Sequence, residues 1–128
     1  MDAQLSTVTV PVSDVRRAKA FYAGVLGFEI LDDENVWTGR KTVHVVRLAP
    51  RGTGAAIMLA NWFPSMVPGS LRGLVFETED IEACRRTLLA AGASPSDIIA
   101  APWGRLTVVS DPDGNHLTFQ QLAAAPGG

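Results

Sequence analysis

The amino-terminal residues alternate between polar and apolar side chains. In LSTVTVPV (5–12) the valines fall on one parity and the threonines on the other, which is typical of a half-buried strand. Ser13 and Asp14, both good helix N-caps, come next, and apolar residues then recur at helical spacing as far as Gly27. The pattern therefore predicts a strand followed by a helix over 14–26.

Three more strands complete the first half of the chain. We predict strands at FEIL (28–31), TVHVVRLA (42–49) and AAIMLA (55–60), because each is a short apolar run bounded by turn residues. We predict a turn at DDEN (32–35) and a hairpin connection at PRGTG (50–54). The first half is therefore a β-α-β-β-β module covering about 5–60.

The second half repeats this order after an irregular linker at 61–72, which contains two prolines and a glycine. The predicted elements are a strand at 73–78, a helix at 80–92 that Asp80 caps and Gly92 ends, and strands at 98–103, 105–110 and 116–121. An offset of about 66 residues superimposes the modules, since it places Asp14 on Asp80. We predict one domain with two modules, the second covering about 73–121, and a frayed tail from 123.

Composition narrows the class of protein. The 128 residues are 47% hydrophobic and 19% charged with a net charge of −2, which favours a globular domain and indicates neither a nucleic-acid nor a membrane partner. No secretion signal is visible at the amino terminus. The single cysteine, Cys84, is interpreted as a small core residue, and one cysteine fits a reducing compartment. We therefore expect a cytoplasmic protein.

Two long stretches resemble the vicinal oxygen chelate superfamily. VTVPVSDVRRAKAFYAGVLGFEI (8–30) resembles its opening, and PWGRLTVVSDPDGNHLTF (102–119) resembles the matching close. That superfamily includes glyoxalase I, extradiol dioxygenases, and fosfomycin and bleomycin resistance proteins; the PWG favours the bleomycin-resistance branch. The resemblance implies an α+β fold whose tandem modules form a cupped, eight-stranded mixed sheet, paired in a homodimer.

The same resemblance assigns four metal-ligand positions, two in each module. In metal-dependent members, the first position of a module holds His or Gln and the last strand holds Glu. Here these four positions hold Thr7, Met58, Gly73 and Thr118. Divalent metals prefer carboxylate, imidazole or thiolate ligands, none of which these residues supply. We therefore predict no metal and no cofactor.

Other polar residues remain candidates for ligand contact. His116 shares strand parity with Thr118, and Glu77 shares the parity of Gly73, so both are predicted to face the cup; either could equally be structural. His44 lies on a strand with apolar residues on both parities, which leaves its direction open. Ser110 and Asp111 are predicted to serve the DPDG turn.

Aromatic residues lie beside the predicted connections rather than on apolar helix faces. They are Trp37, Trp62, Phe63 and Trp103, joined by Met66 in the linker. Such residues can cover the ends of the core or a dimer contact, or they can form a wall on which a planar ligand stacks.

These observations favour a metal-free protein that sequesters an aromatic or hydrophobic small molecule such as an antibiotic. The alternative is a superfamily enzyme, either metal-dependent or a metal-free acid/base catalyst that uses His44, His116 or Glu77. A module that binds another protein is a third hypothesis. We predict no catalytic residues; the predicted ligand-contacting residues are Thr7, Thr9, Trp37, His44, Met58, Trp62, Phe63, Met66, Gly73, Glu77, Trp103, Arg105, His116, Thr118 and Gln120.

Overall fold

The computed structural model describes residues 1–51 and 54–124, which form two compact units. The first unit contains Met1–Leu71 together with Asp111–Asn115, and the second contains Arg72–Ser110 with the residues from His116 onward. The elements in chain order are β1 (Thr7–Pro11), α1 (Val15–Lys19), a π-helical segment (Ala20–Val25), β2 (Glu29–Trp37), β3 (Thr42–Ala49), β4 (Ala56–Ala60), β5 (Leu74–Glu77), α2 (Ile81–Ala90), β6 (Ile99–Ala101), β7 (Gly104–Ser110) and β8 (His116–Leu122).

The two units have the same topology. The strand order is β1-β4-β3-β2 in the first sheet and β5-β8-β7-β6 in the second. Each first strand pairs in parallel with the last strand of its unit, and the remaining pairs are antiparallel. This confirms the predicted β-α-β-β-β repeat, which takes the form of two four-stranded mixed sheets.

The helices begin at the residues that the sequence predicts. The carboxylate of Asp14 accepts hydrogen bonds from the backbone N–H groups of Arg16 and Arg17 at 3.0 and 3.1 Å, and Asp80 accepts one from Ala83 at 3.0 Å. These caps satisfy donors that have no partner inside the helix. The first helix changes from α to π geometry at Ala20, which a periodicity of 3.6 residues does not predict.

The prediction of a turn at 32–35 is wrong. β2 continues through these residues, and the chain turns later, where the backbone N–H of Thr38 donates to the Lys41 carbonyl at 2.9 Å. β2 is an edge strand of its sheet, so its charged side chains are partly exposed or paired with charged neighbours and do not interrupt the pairing. A β-bulge between Ile30 and Asp32 leaves Leu31 as the extra residue. The side chains of β2 after the bulge therefore point to the opposite faces from those that a regular strand would give them.

Each sheet has a helix face, packed against the helix of its own unit, and an open face on the other side. On the first helix face, Val10, Val46 and Leu48 are buried with Tyr22 of the π-helical segment. On the second helix face, Leu117 and Phe119 are buried, as predicted, and Gln121 of the same parity accepts a hydrogen bond from the backbone N–H of Ile81. The alternation of the strands then fixes which residues belong to each open face.

The DPDGN turn at 111–115 belongs to the first unit, although it joins two strands of the second. Asn115 is buried; its side-chain amide donates to the Pro11 carbonyl and to Asp111 at 2.8 Å each, and its Oδ1 accepts from the Leu71 N–H at 3.0 Å. The Asp111 carboxylate accepts from the Tyr22 hydroxyl at 2.9 Å. Asp111 therefore bonds within the turn, where it accepts from the N–H groups of Asp113 and Asn115, and it also bonds to Tyr22 outside the turn.

Some predicted features fall outside the described residues. The hairpin connection at 50–54 includes residues 52 and 53, and the tail from 123 includes residues 125–128. Within the described ranges, no helix is long and apolar enough to cross a membrane.

Candidate functional site

The open face of the first sheet carries three of the predicted ligand-contacting residues. Thr7 and Thr9 alternate along β1, and Met58 of β4 lies directly opposite Thr9 in the parallel register. Residues paired across two strands point to the same face, so these side chains are grouped. All three are half-buried.

An arginine that sequence reasoning missed lies in the same group. Arg47 of β3 pairs with Met58 of β4, so its guanidinium belongs to the open face of a central strand. Its Nε donates to the Asp32 carboxylate at 2.6 Å, and its Nη1 donates to the Thr7 hydroxyl at 3.3 Å. Asp32 reaches this face because of the bulge after Ile30, which places it opposite Arg47. The pattern of the sequence offers one signal, a lone arginine among the apolar residues of 42–49.

A divalent metal does not fit this arrangement. The resemblance assigns Thr7 as a ligand position, but its hydroxyl accepts a hydrogen bond from a guanidinium, a permanent cation that repels a metal ion. Met58 offers only a thioether, and Asp32 is paired with Arg47. Among residues 1–51 and 54–124, no group of three or more His, Cys, Asp or Glu side chains could hold a metal ion.

The open face of the second sheet groups four other predicted residues. Glu77 of β5 pairs with Gln120 of β8, and Thr118 and His116 precede Gln120 on the same face. Trp103, in the turn between β6 and β7, donates its indole N–H to the Gln120 side chain at 3.2 Å. Gly73 precedes β5 with φ of 81° and contributes no side chain. His116, Thr118 and Gln120 thus form a polar row along β8, with Glu77 of β5 beside it and the Trp103 indole at its end.

Apolar side chains surround this row. Val75, Ile99 and Leu122 are 46%, 49% and 49% exposed, and the same alternation places Leu106 and Val108 beside them. Trp103 is 55% exposed. An exposed apolar sheet face with an indole at its edge is suited to contact with a flat, apolar molecule.

His44 points the other way, toward the helix of the first unit. Its ring Nε2 lies 2.6 Å from Asp33, which also forms an ion pair with Lys19 of α1. Hydrogen bonds first from Lys19 and then from His44 hold the pKa of the Asp33 carboxyl below its usual value. These residues line a groove of about 670 Å³ on the helix side, so His44 does not join the open-face candidates.

Two other predicted residues are also separate from the open faces. Arg105 has helix-face parity in β7 and forms an ion pair with Glu82 of α2, which accounts for its charge. Trp37 ends β2 with the same parity as Asp33 and is 66% exposed, so it lies on the helix side of the first sheet.

The linker aromatics form a cluster of their own in the first unit. The rings of Trp62 and Phe63 lie 5.5 Å apart at an angle of 33°, and Met66 closes a turn by donating its N–H to the Phe63 carbonyl. Phe63 is 40% exposed and the adjacent Val67 is 65% exposed. This cluster is therefore a partly exposed apolar surface rather than buried core.

Comparisons with known proteins agree with the sequence resemblance. The family model of the Glyoxalase/Bleomycin resistance protein/Dioxygenase superfamily matches residues 4–119. The protein YetH of Bacillus subtilis (strain 168) is 29% identical over 94% of this chain and 100% of its own length.

Two solved structures from Streptomyces sp. CB03234 are similar over nearly the whole chain. TnmS3, an antibiotic binding protein, is 36% identical with a TM-score of 0.87, covering 95% of this chain and 98% of its own. A glyoxalase/bleomycin resistance protein is 38% identical with a TM-score of 0.82, covering 91% and 99%. Together with the repeated fold and the match over residues 4–119, these likenesses establish that the chain belongs to the glyoxalase/bleomycin resistance protein/dioxygenase superfamily.

Proposed function

We propose that this protein binds an aromatic small molecule of the antibiotic or natural-product class without a metal and returns it unchanged, so that it protects by sequestration. The observation that carries the proposal is the Arg47–Thr7 hydrogen bond, which places a fixed cation at a position where metal-dependent members hold a ligand. The likeness to an antibiotic binding protein at 36% identity supports the same class of ligand.

The exposed apolar surfaces suit such a ligand. Trp103 presents a flat indole beside Val75, Ile99 and Leu122, and each aromatic pair contributes about 0.5–1.5 kcal/mol beyond the burial of area. Burial of apolar area adds about 25 cal/mol per Å² before the cost of association is subtracted. A few such contacts are sufficient for micromolar affinity, which corresponds to about −8 kcal/mol.

We further propose that the protein works as a homodimer in the cytoplasm. The partly exposed apolar cluster of Trp62, Phe63 and Val67 is of the kind that a second copy would cover. Light scattering coupled to size exclusion tests this directly, and a mass of one chain at micromolar concentration would contradict it.

Binding is tested by quenching of tryptophan fluorescence with a panel of aromatic antibiotics, including anthracyclines and anthraquinones. Saturable quenching at micromolar concentrations is expected. A matched pair of variants locates the site: Trp103→Ala should weaken binding at least tenfold, whereas Trp37→Ala, which removes an indole on the helix side, should leave the affinity unchanged. Quenching by no member of the panel would sink the proposal.

Two further measurements separate sequestration from catalysis. Mass spectrometry of the bound ligand after prolonged incubation should recover it unchanged, and a stoichiometric product would instead favour a metal-free enzyme that uses His116 or Glu77. Elemental analysis of protein purified without chelator should find less than a tenth of an equivalent of divalent metal.

A further inference from the structure

Arg47 is held on the open face with part of its hydrogen-bonding capacity unused. A guanidinium carries five N–H donors. The Nε donor goes to Asp32 and one Nη1 donor goes to Thr7, which leaves three without an acceptor among the described residues. Those three include both donors of Nη2. The side chain is 33% exposed, so a ligand on the open face can reach them.

The two bonds that Arg47 makes also fix its orientation. Asp32 of β2 accepts from Nε, and Thr7 of β1, at the opposite edge of the sheet, accepts from Nη1. Because the two bonds involve different nitrogens of one planar group, they set the plane of the guanidinium. A planar fork held in this way favours acceptors that present two oxygen atoms together, such as a carboxylate. A donor that is already oriented loses less entropy when the ligand binds.

The charges of the open face limit how strong this contact is. Glu34 shares the face with Asp32 on the edge strand, so these two carboxylates outweigh the single guanidinium. A long-range attraction for anions is therefore absent, and the gain comes from short charge-assisted hydrogen bonds from the remaining donors of Nη1 and Nη2 to the two oxygens of one group. Such bonds are about twice as strong as neutral ones, so we expect a preference of about tenfold rather than a thousandfold.

The neighbours of Arg47 are apolar. Val45 precedes it by two residues on the same face of β3, and Met58 lies opposite it on β4. A ligand group that meets the guanidinium therefore has apolar surface on both sides. From these contacts we propose, resting on the proposed function, that the open face of the first sheet is itself a ligand-contacting surface. Arg47 is its specificity-determining residue and selects aromatic ligands carrying an acidic, two-oxygen group, a carboxylate or its equivalent.

The test compares two probes with one ring system, anthraquinone-2-carboxylate and the uncharged anthraquinone-2-carboxamide, by tryptophan quenching and calorimetry. The unmodified protein should bind the carboxylate about tenfold more tightly. Arg47→Met should reduce this ratio to about one while it retains binding of the amide. Arg86→Met, an exposed arginine of α2, controls for the loss of a charge and should leave the ratio unchanged.

Asp32→Asn should change the ratio of carboxylate to carboxamide affinity in the opposite direction from Arg47→Met. It removes the negative charge that competes for the guanidinium, so the ratio should rise several-fold above that of the unmodified protein. The rise should be absent in the double variant Asp32→Asn/Arg47→Met, and a rise that persists there would overturn the role of Arg47. Circular dichroism confirms that each variant is folded before it is compared.

The outcomes separate this inference from the proposed function. Equal affinity for the two probes, or an equal loss of both in Arg47→Met, overturns the role of Arg47 and leaves the binding of aromatic ligands intact. Binding of neither probe by a protein that binds the antibiotic panel also overturns it. Failure of the whole panel overturns the proposed function itself.

Discussion

The close packing of Gly69 against the DPDGN turn can be tested by a single methyl group. Gly69 has φ of 82°, and a Cβ added to it would overlap the carbonyl of Asp113 in the DPDGN turn. Gly73 has nearly the same φ, 81°, but an added Cβ there meets nothing within 4 Å. Gly69→Ala and Gly73→Ala therefore share the cost of a left-handed backbone and differ only in the overlap.

The free energies of unfolding should differ accordingly. The left-handed conformation costs an alanine about 1–2 kcal/mol, and the reduced entropy of the unfolded chain offsets about 0.4–1 kcal/mol of this, so Gly73→Ala should lose about 1 kcal/mol. Overlap in a packed region adds about 1–3 kcal/mol. A shift of Asp113 would also disturb its bonds from Ser13 Oγ at 2.6 Å and Arg17 Nη2 at 3.1 Å. Gly69→Ala should therefore lose about 3–4 kcal/mol.

Urea denaturation followed by tryptophan fluorescence measures both variants against the unmodified protein. The expected difference of about 2–3 kcal/mol corresponds to roughly 10 °C in Tm for a domain of this size. If Gly69→Ala and Gly73→Ala are equally stable, the close approach to Asp113 has no energetic weight. The account of the turn as a packed part of the first unit would then be refuted.

Three further predictions concern single polar side chains. Asn115→Ala should lose about 3 kcal/mol of stability in urea denaturation because it removes three side-chain hydrogen bonds, with the Pro11 carbonyl, the Leu71 N–H and the Asp111 carboxylate, whereas Asn61→Ala, at an exposed position, should lose less than about 0.5 kcal/mol. Burial foremost, and then Asp111, raises the pKa of Tyr22, the one tyrosine of the chain, so phenolate absorbance in an alkaline titration should appear only with unfolding. The neutral phenol stabilises the fold below the ordinary pKa of about 10, and this contribution is lost as the pH rises above it; a smooth titration without unfolding would contradict the assignment. Burial also raises the pKa of the Cys84 thiol, so its alkylation at neutral pH should be slower than in urea-denatured protein.

The order of elements and the repeat could be predicted because both depend on local alternation and on capping residues. Asp14 and Asp80, which an offset of 66 superimposes, are both N-caps in the structure. Leu117 and Phe119 face the helix because a strand alternates strictly once its register is set. These features require only neighbours in sequence.

Features that depend on distant partners could not be predicted in the same way. Asn115 bonds to Pro11, which is 104 residues away, and nothing in the DPDGN segment itself names that partner. The sequence predicts a turn at Asp32 because aspartate and asparagine favour turns, yet pairing with β3 outweighs that local preference. His44 could not be oriented, since both faces of its strand are apolar in sequence.

The bulge at Leu31 determines which polar side chains of β2 reach the open face of the first sheet. Before it, Ile30 pairs with Leu48 on the helix face; without an extra residue, the alternation would place Asp32 on that same face. The bulge instead puts Asp32 opposite Arg47, and the carboxylate then holds the guanidinium on the open face. The pairing of Asp32 with Arg47 on the open face thus depends on one inserted residue in an edge strand, where an irregularity disturbs the fewest hydrogen bonds. A relative with a regular β2 should therefore direct its carboxylate toward the helix and leave the open face free for another kind of ligand group.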